Sequence, residues 1–81
     1  MNVRLTERAD KDYAALSAGV CKAFGKQLEF LLANPWHPSL RAKKLEGGDQ
    51  LWQARVNRGW RFYFKIRSDE YVIIGIVPHP K

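Results

Sequence analysis

Apolar and polar residues alternate most regularly over residues 51–67, LWQARVNRGWRFYFKIR, which reads as two β-strands around a tight Asn57-Arg58-Gly59 connection. In the second strand Trp60, Phe62, Phe64 and Ile66 share one face, while Arg61, Tyr63, Lys65 and Arg67 share the other, because side chains alternate with period two. One face is suited to a core and the other to an anion. If the three-residue connection pairs Val56 with Trp60, Arg55 stands directly opposite Arg61. Like charges so placed repel each other, and a bound anion relieves that repulsion. A pair of solvated sheet arginines fits the same pattern.

Around this hairpin the pattern predicts a complete small fold. Val3 and Leu5 alternate with Asn2 and Arg4, giving a short strand at or near a sheet edge. Thr6 supplies an N-cap oxygen, and Glu7 and Asp10 suit the first turn of a helix whose buried stripe is Ala9, Tyr13 and Leu16. Gly19 is placed to end that helix in a left-handed conformation. A second helix over residues 20–32 carries Val20, Phe24, Leu28 and Leu31 on one face, and Asn34-Pro35 stops it. Residues 35–50 show no periodicity, hold two prolines and the Gly47-Gly48 pair, and read as a loop that Leu45 anchors to the core.

After a turn at Ser68-Asp69-Glu70, residues 71–77, YVIIGIV, are apolar on both faces, as in a strand with neighbours on each edge. Gly75 within the run marks a close approach by another backbone or a ligand. An odd-numbered turn sets Gly75 opposite Tyr63 and His79 on the face of Arg61, whereas a two-residue turn sends His79 to the other face. The predicted architecture is α+β: one domain over residues 1–81, with an antiparallel two-helix hairpin on a mainly antiparallel four-stranded sheet in the order β-α-α-β-β-β.

Charge sharpens this picture. The 81 residues carry a net charge of +6. Residues 41–67 contribute eight basic side chains (Arg41, Lys43, Lys44, Arg55, Arg58, Arg61, Lys65, Arg67) against Glu46 and Asp49, so the whole excess lies in one third of the chain. That is the footprint of a phosphate-backbone binder, although an acidic protein is drawn to the same patch. No apolar run approaches the roughly 18 residues a membrane span needs, the N-terminus lacks a signal-peptide pattern, and Cys21 has no second cysteine to pair with. A cytoplasmic protein without a membrane role is the expectation.

The candidate chemistry is narrow. His37 and His79 are far apart in sequence and no zinc or two-metal spacing appears, so neither a metal nor a nucleotide cofactor is expected. What remains is a cationic sheet face of Arg55, Arg61, Tyr63 and conditionally His79, flanked by Lys43 and Lys44. Guanidinium groups grip phosphate bidentately and stabilise extra charge on phosphorus, and histidine exchanges protons near neutral pH. Such a set suits metal-independent RNA cleavage by the ribose 2′-hydroxyl, and it suits plain RNA binding as well.

The Leu5-Thr6-Glu7-Arg8-Ala9 helix entry, the Lys44-Leu45-Glu46-Gly47 loop, Trp52-Gln53-Ala54-Arg55-Val56, Trp60-Arg61 and the final Ile76-Val77-Pro78-His79 together resemble the RelE/ParE superfamily of bacterial toxins over nearly the whole chain. The resemblance implies a toxin of a type II toxin-antitoxin pair with a RelE-like fold. Its RelE-like members cut mRNA in the ribosomal decoding site without metal; its ParE-like members inhibit DNA gyrase instead. It places Arg55 and Arg61 at the scissile phosphate, His79 as the proton-transfer residue, and Lys43 or Lys44 at a base or phosphate contact. Arg41, Arg58 and Lys65 are then further RNA contacts, and Tyr63 or Trp60 stacks a base. The implied partners are a cognate antitoxin, in a toxin-antitoxin hetero-oligomer, and the ribosome with its mRNA. Two departures stand out. Residues 41–44 hold no carboxylate where some relatives place a glutamate base, and Pro80-Lys81 replaces the usual arginine-and-tyrosine ending.

Overall fold

The alternation of residues 51–67 becomes two paired strands in the computed structural model, which describes residues 1–47 and 50–79. Gly48, Asp49 and the Pro80-Lys81 ending lie outside the described residues. In chain order the elements are β1 (Asn2–Leu5), α1 (Glu7–Ala14), α2 (Ala18–Ala33), a 3-10 turn (Pro38–Leu40), β2 (Lys43–Lys44), β3 (Trp52–Asn57), β4 (Trp60–Arg67) and β5 (Glu70–Pro78). They form one sheet in the order β1-β5-β4-β3-β2, with β1 parallel to β5 and the other pairs antiparallel.

The fold is α+β as expected, but the sheet has five strands instead of four. The extra strand is the two-residue β2, where Lys43 pairs with Gln53 and Lys44 with Trp52. Two lysines are too short a stretch to show any period, which is why this segment reads as loop. Leu40, fully buried, anchors it to the core, whereas Leu45 is only half-buried.

Both helices cover the apolar face of the sheet. Phe24 and Leu31 of α2 and Ala9 of α1 are fully buried with Phe62, Phe64 and Ile73, and the Phe24 and Phe62 rings meet edge to face at 5.3 Å. Each large side chain buried there stabilises the fold by about 1.5–3 kcal/mol. Tyr13, expected in this stripe, is 42% exposed. The side of α1 turned to the sheet runs through Ala9 and Asp12, and Tyr13 stands beside it against Phe24.

The helix break also moves. It falls at residues 15–17, not at Gly19, which lies in the first turn of α2. Ser17 is the N-cap and its hydroxyl accepts the Val20 N–H. A serine cap satisfies an otherwise orphaned donor and is worth about 1 kcal/mol relative to alanine, so α2 starts directly after Ser17 and takes Gly19 into its first turn. Thr6 caps α1 as expected, accepting the Ala9 N–H at 3.2 Å.

Past Leu5, no strand among the described residues lies on the outer side of β5, and α1 supplies side chains in its place. The Thr6 hydroxyl donates to the Ile74 carbonyl, and Asp12 Oδ2 accepts the Ile76 N–H at 3.0 Å. This is the close approach that Gly75 permits: a Cβ there would sit 3.3 Å from Asp12 Oδ2 and 3.5 Å from Arg8 Nε. Asp12→Ala should therefore cost about 1–3 kcal/mol in urea unfolding, because it orphans a part-buried donor. Asp12→Asn keeps an acceptor and should lose less.

Burial pushes the Tyr71 hydroxyl above its ordinary pKa. The unfolded chain therefore ionises first, near pH 10. The corresponding stability is intact below that pH and disappears as pH rises through the folded value. Tyr71→Phe should remove this part of the alkaline destabilisation, measured as unfolding midpoint against pH.

Candidate functional site

The position of His79 depends on two irregularities in the sheet. The turn between β4 and β5 has two residues, with Arg67 paired to Glu70, and by itself that register sends His79 to the helix-covered face. A bulge reverses the outcome. Phe64 pairs with Ile73 but Tyr63 pairs with Gly75, so Ile74 is the extra residue and everything after it is shifted by one. Arg61 then faces Val77, and His79 projects on the side of Arg61. The His79 N–H donates to the Gly59 carbonyl at 2.8 Å, which ties the histidine to the β3–β4 turn.

The second bulge lies in β3. Trp60 pairs with Asn57 in place of Val56, and the register shift between Arg55 and Asn57 keeps Arg55 directly opposite Arg61. Asn57 Oδ1 accepts the Gly59 N–H and shapes the tight turn.

Arg41, Lys43, Gln53, Arg55, Arg61 and His79 line one cleft of about 240 Å³ on the sheet face away from the helices. Tyr63 and Lys65 follow Arg61 on the same face of β4. Lys43 pairs with Gln53 and shares this face, whereas Lys44 pairs with Trp52 on the helix side, so the two lysines are separated. Trp60 packs against the core on the helix side. Arg58 lies outside this cleft and lines another at the outer edge of β3. His37 is a structural residue: its ring stacks on Phe30 at 3.9 Å and its Nδ1 accepts the Ser39 N–H.

Two participants escape the sequence reading. Gln53 lines the cleft beside Arg55, and the alternation of β3 already puts them on one face. Arg8 reaches from α1 over Gly75 to a neighbouring depression with Leu51, Tyr63 and Val77; nothing local to the helix signals that.

The electrostatics of the cleft are one-sided. Burial first, then Arg55 and Arg41, push the Arg61 guanidinium below its ordinary pKa, with Tyr63 acting in the opposite sense. An arginine remains charged regardless, so the shift records burial first and, after it, repulsion that no neighbouring anion among the described residues relieves. Arg61 Nη1 is aimed by two hydrogen bonds, to the carbonyls of Asn57 at 2.8 Å and Trp60 at 2.9 Å. The ion pairs among the described residues are Arg4–Glu70, Arg8–Asp12 and Lys11–Glu7, and none involves a cation of the cleft. A phosphate would supply the missing negative charge.

No protein-family model matches the sequence, and no curated protein matches it. Solved structures match closely in shape. A YoeB/ParE toxin from Agrobacterium tumefaciens superposes with a TM-score of 0.82 at 17% identity, covering 99% of this chain and 100% of that one. RelE from the archaeal RelE-RelB complex of Pyrococcus horikoshii OT3 gives 0.78 at 20% identity, covering 95% and 92%. The isolated RelE toxin of E. coli gives 0.79 at 20% identity, covering 99% and 85%. The cationic cleft, the bulge that turns His79 toward it and the helices on the opposite face are thus carried on the fold of the RelE/ParE toxins.

Proposed function

We propose that this protein is the toxin of a type II toxin-antitoxin system and acts as a metal-independent, ribosome-dependent mRNA endoribonuclease. The observation that carries this reading is the convergence of Arg41, Arg55, Arg61 and His79 on one cleft to which no carboxylate among the described residues contributes. The ribose 2′-hydroxyl attacks the adjacent phosphorus, the 2′-oxygen–phosphorus bond forms, and the bond to the 5′-oxygen breaks. The products are a 2′,3′-cyclic phosphate and a 5′-hydroxyl end. Arg61, its guanidinium fixed by the Asn57 and Trp60 carbonyls, and Arg55 opposite it hold the phosphate and stabilise the charge that grows on its oxygens. His79 moves the proton, as base toward the 2′-hydroxyl or as acid toward the leaving oxygen. Lys43 and Arg41 draw in the strand, and Tyr63 offers a base a stacking surface.

A cognate antitoxin completes the proposal. The Pyrococcus RelE relative was solved with RelB, and the one-sided charge here suits a partner segment that is acidic and folds on binding. The protein acts in the cytoplasm in this reading, where mRNA and ribosomes are.

Primer extension on a defined mRNA in a purified translation system tests the proposal. Discrete cuts at the decoding site, absent with His79→Ala, are the expected result. No cuts together with inhibited gyrase supercoiling would replace it with the ParE-like reading.

A further inference from the structure

A second cleft, of about 500 Å³, opens at the outer edge of β3 and is lined by Gln27, Ser39, Arg41, Arg55, Asn57 and Arg58, with Pro38 and Val56. Its volume falls within the range of about 300–1,000 Å³ typical of small-ligand sites. β2 pairs only with Gln53 and Trp52, so among the described residues no strand lies beyond the rest of β3. Buried Gln27 takes that place. Its Nε2 donates to the carbonyls of Arg55 at 2.8 Å and Ser39 at 3.0 Å, and its Oε1 accepts the Ser39 hydroxyl. With both ends of its amide engaged, Gln27 is wall, not ligand contact.

The polar groups that remain point to an anion with a base attached. Arg58 is exposed and takes part in no ion pair among the described residues. The Asn57 Oδ1 is used by Gly59, which leaves its amide N–H groups as donors. Arg41 and Arg55 line this cleft and the His79 cleft alike. Arg41 holds a left-handed backbone, φ 47° and ψ 43°, at the end of the 3-10 turn. Such a conformation is disfavoured for a residue with a Cβ and persists where surrounding structure imposes it, as at ligand clamps.

We propose that this second cleft is a subsite for the nucleotide next to the one held over Arg61, so that the ligand is single-stranded RNA whose backbone crosses Arg41 and whose next phosphate is held by Arg58. This rests on the ribonuclease reading and adds to it the direction of the strand's path and a minimum length of two phosphates. The path bends around the sheet edge, which an unstacked single strand can follow and a duplex cannot.

The test is calorimetric titration of the intact protein with all-2′-O-methyl oligoribonucleotides of two to five nucleotides, which lack the attacking hydroxyl. For the wild type, affinity should rise about tenfold or more on passing from one phosphate to two. Arg58→Ala, a change on an exposed turn, should abolish that gain, leave dinucleotide binding intact and lower the salt slope by about 1. Arg61→Ala should weaken every length alike. If Arg58→Ala keeps the full gain, the subsite is wrong while the ribonuclease reading stands. If no length binds the wild type, or Arg61→Ala changes none, the subsite is overturned, and the ribosome-dependent ribonuclease reading is decided separately by the primer-extension test. A hexaglutamate peptide binding as tightly as the longest oligonucleotide, through Arg58, would assign the cleft to an acidic polypeptide and overturn the proposal.

Discussion

Arg61→Ala is expected to slow single-turnover cleavage by about 100- to 1,000-fold, the usual effect of deleting one preorganised donor to a charge that develops in the transition state. Stability should stay within about 1 kcal/mol of wild type, because two opposing terms cancel. The substitution removes the hydrogen bonds to Asn57 and Trp60, but it also removes a cation that lies opposite Arg55 and is disfavoured by burial and by Arg41. The two carbonyls left behind are near the surface and can be hydrated. Arg61→Lys keeps the charge without the planar fork and should recover only part of the rate. Single-turnover rates beside urea melts separate the effects. A variant as fast as the wild type would remove Arg61 from the mechanism.

Gln27→Glu should be the most damaging single change for the fold, costing about 3–5 kcal/mol at neutral pH. Gln27 is 5% exposed and donates to two carbonyls. A carboxylate in its place sets negative charge against both oxygens. Burial raises the folded pKa of such a glutamate above the unfolded value near 4.3. The sign follows: the variant is least impaired below that pH, where the acid is neutral and can donate once, and it loses stability as pH rises through the folded pKa. Unfolding midpoints at acidic and neutral pH, against wild type, measure this. An equal deficit at both would mean that the introduced charge carries no penalty and that the loss comes from the amide's two donated hydrogen bonds. Gln27→Met, which roughly conserves volume, should show the deficit without the pH dependence.

Much of this was legible in the chain because it rests on short periods. Alternation alone put Arg61, Tyr63 and Lys65 on one face and Phe62 and Phe64 on the other; Arg55 does stand opposite Arg61, but through a bulge in β3 and not through the expected pairing of Val56 with Trp60. Local caps were equally legible at Thr6 and Asn34. Most of the misses share a cause, since they depend on partners elsewhere in the chain; the helix break is the exception, where the Ser17 cap wins locally over Gly19. β2 exists only through its pairing with β3, and Gln27 reads as an interruption in an apolar helix face until the unpaired edge beside it is known. The fate of His79 was undecidable from turn length, because the count is corrected five residues later by a bulge that the apolar run 71–77 conceals.

That bulge gives the protein an unusual kind of safeguard against drift. Ile73 and Ile76 are both buried, though their spacing of three would set them on opposite faces of a regular strand. Only the extra residue at 74 lets both enter the core, and the same extra residue turns His79 toward the arginines. A strand that closed the bulge while keeping residue 74 would thus expose a core isoleucine at the moment it turned His79 away from the cleft, so selection for a folded protein alone preserves the histidine's aim. Residue spacing here is inherited under a constraint that a comparison of residue identities, column by column, would not reveal.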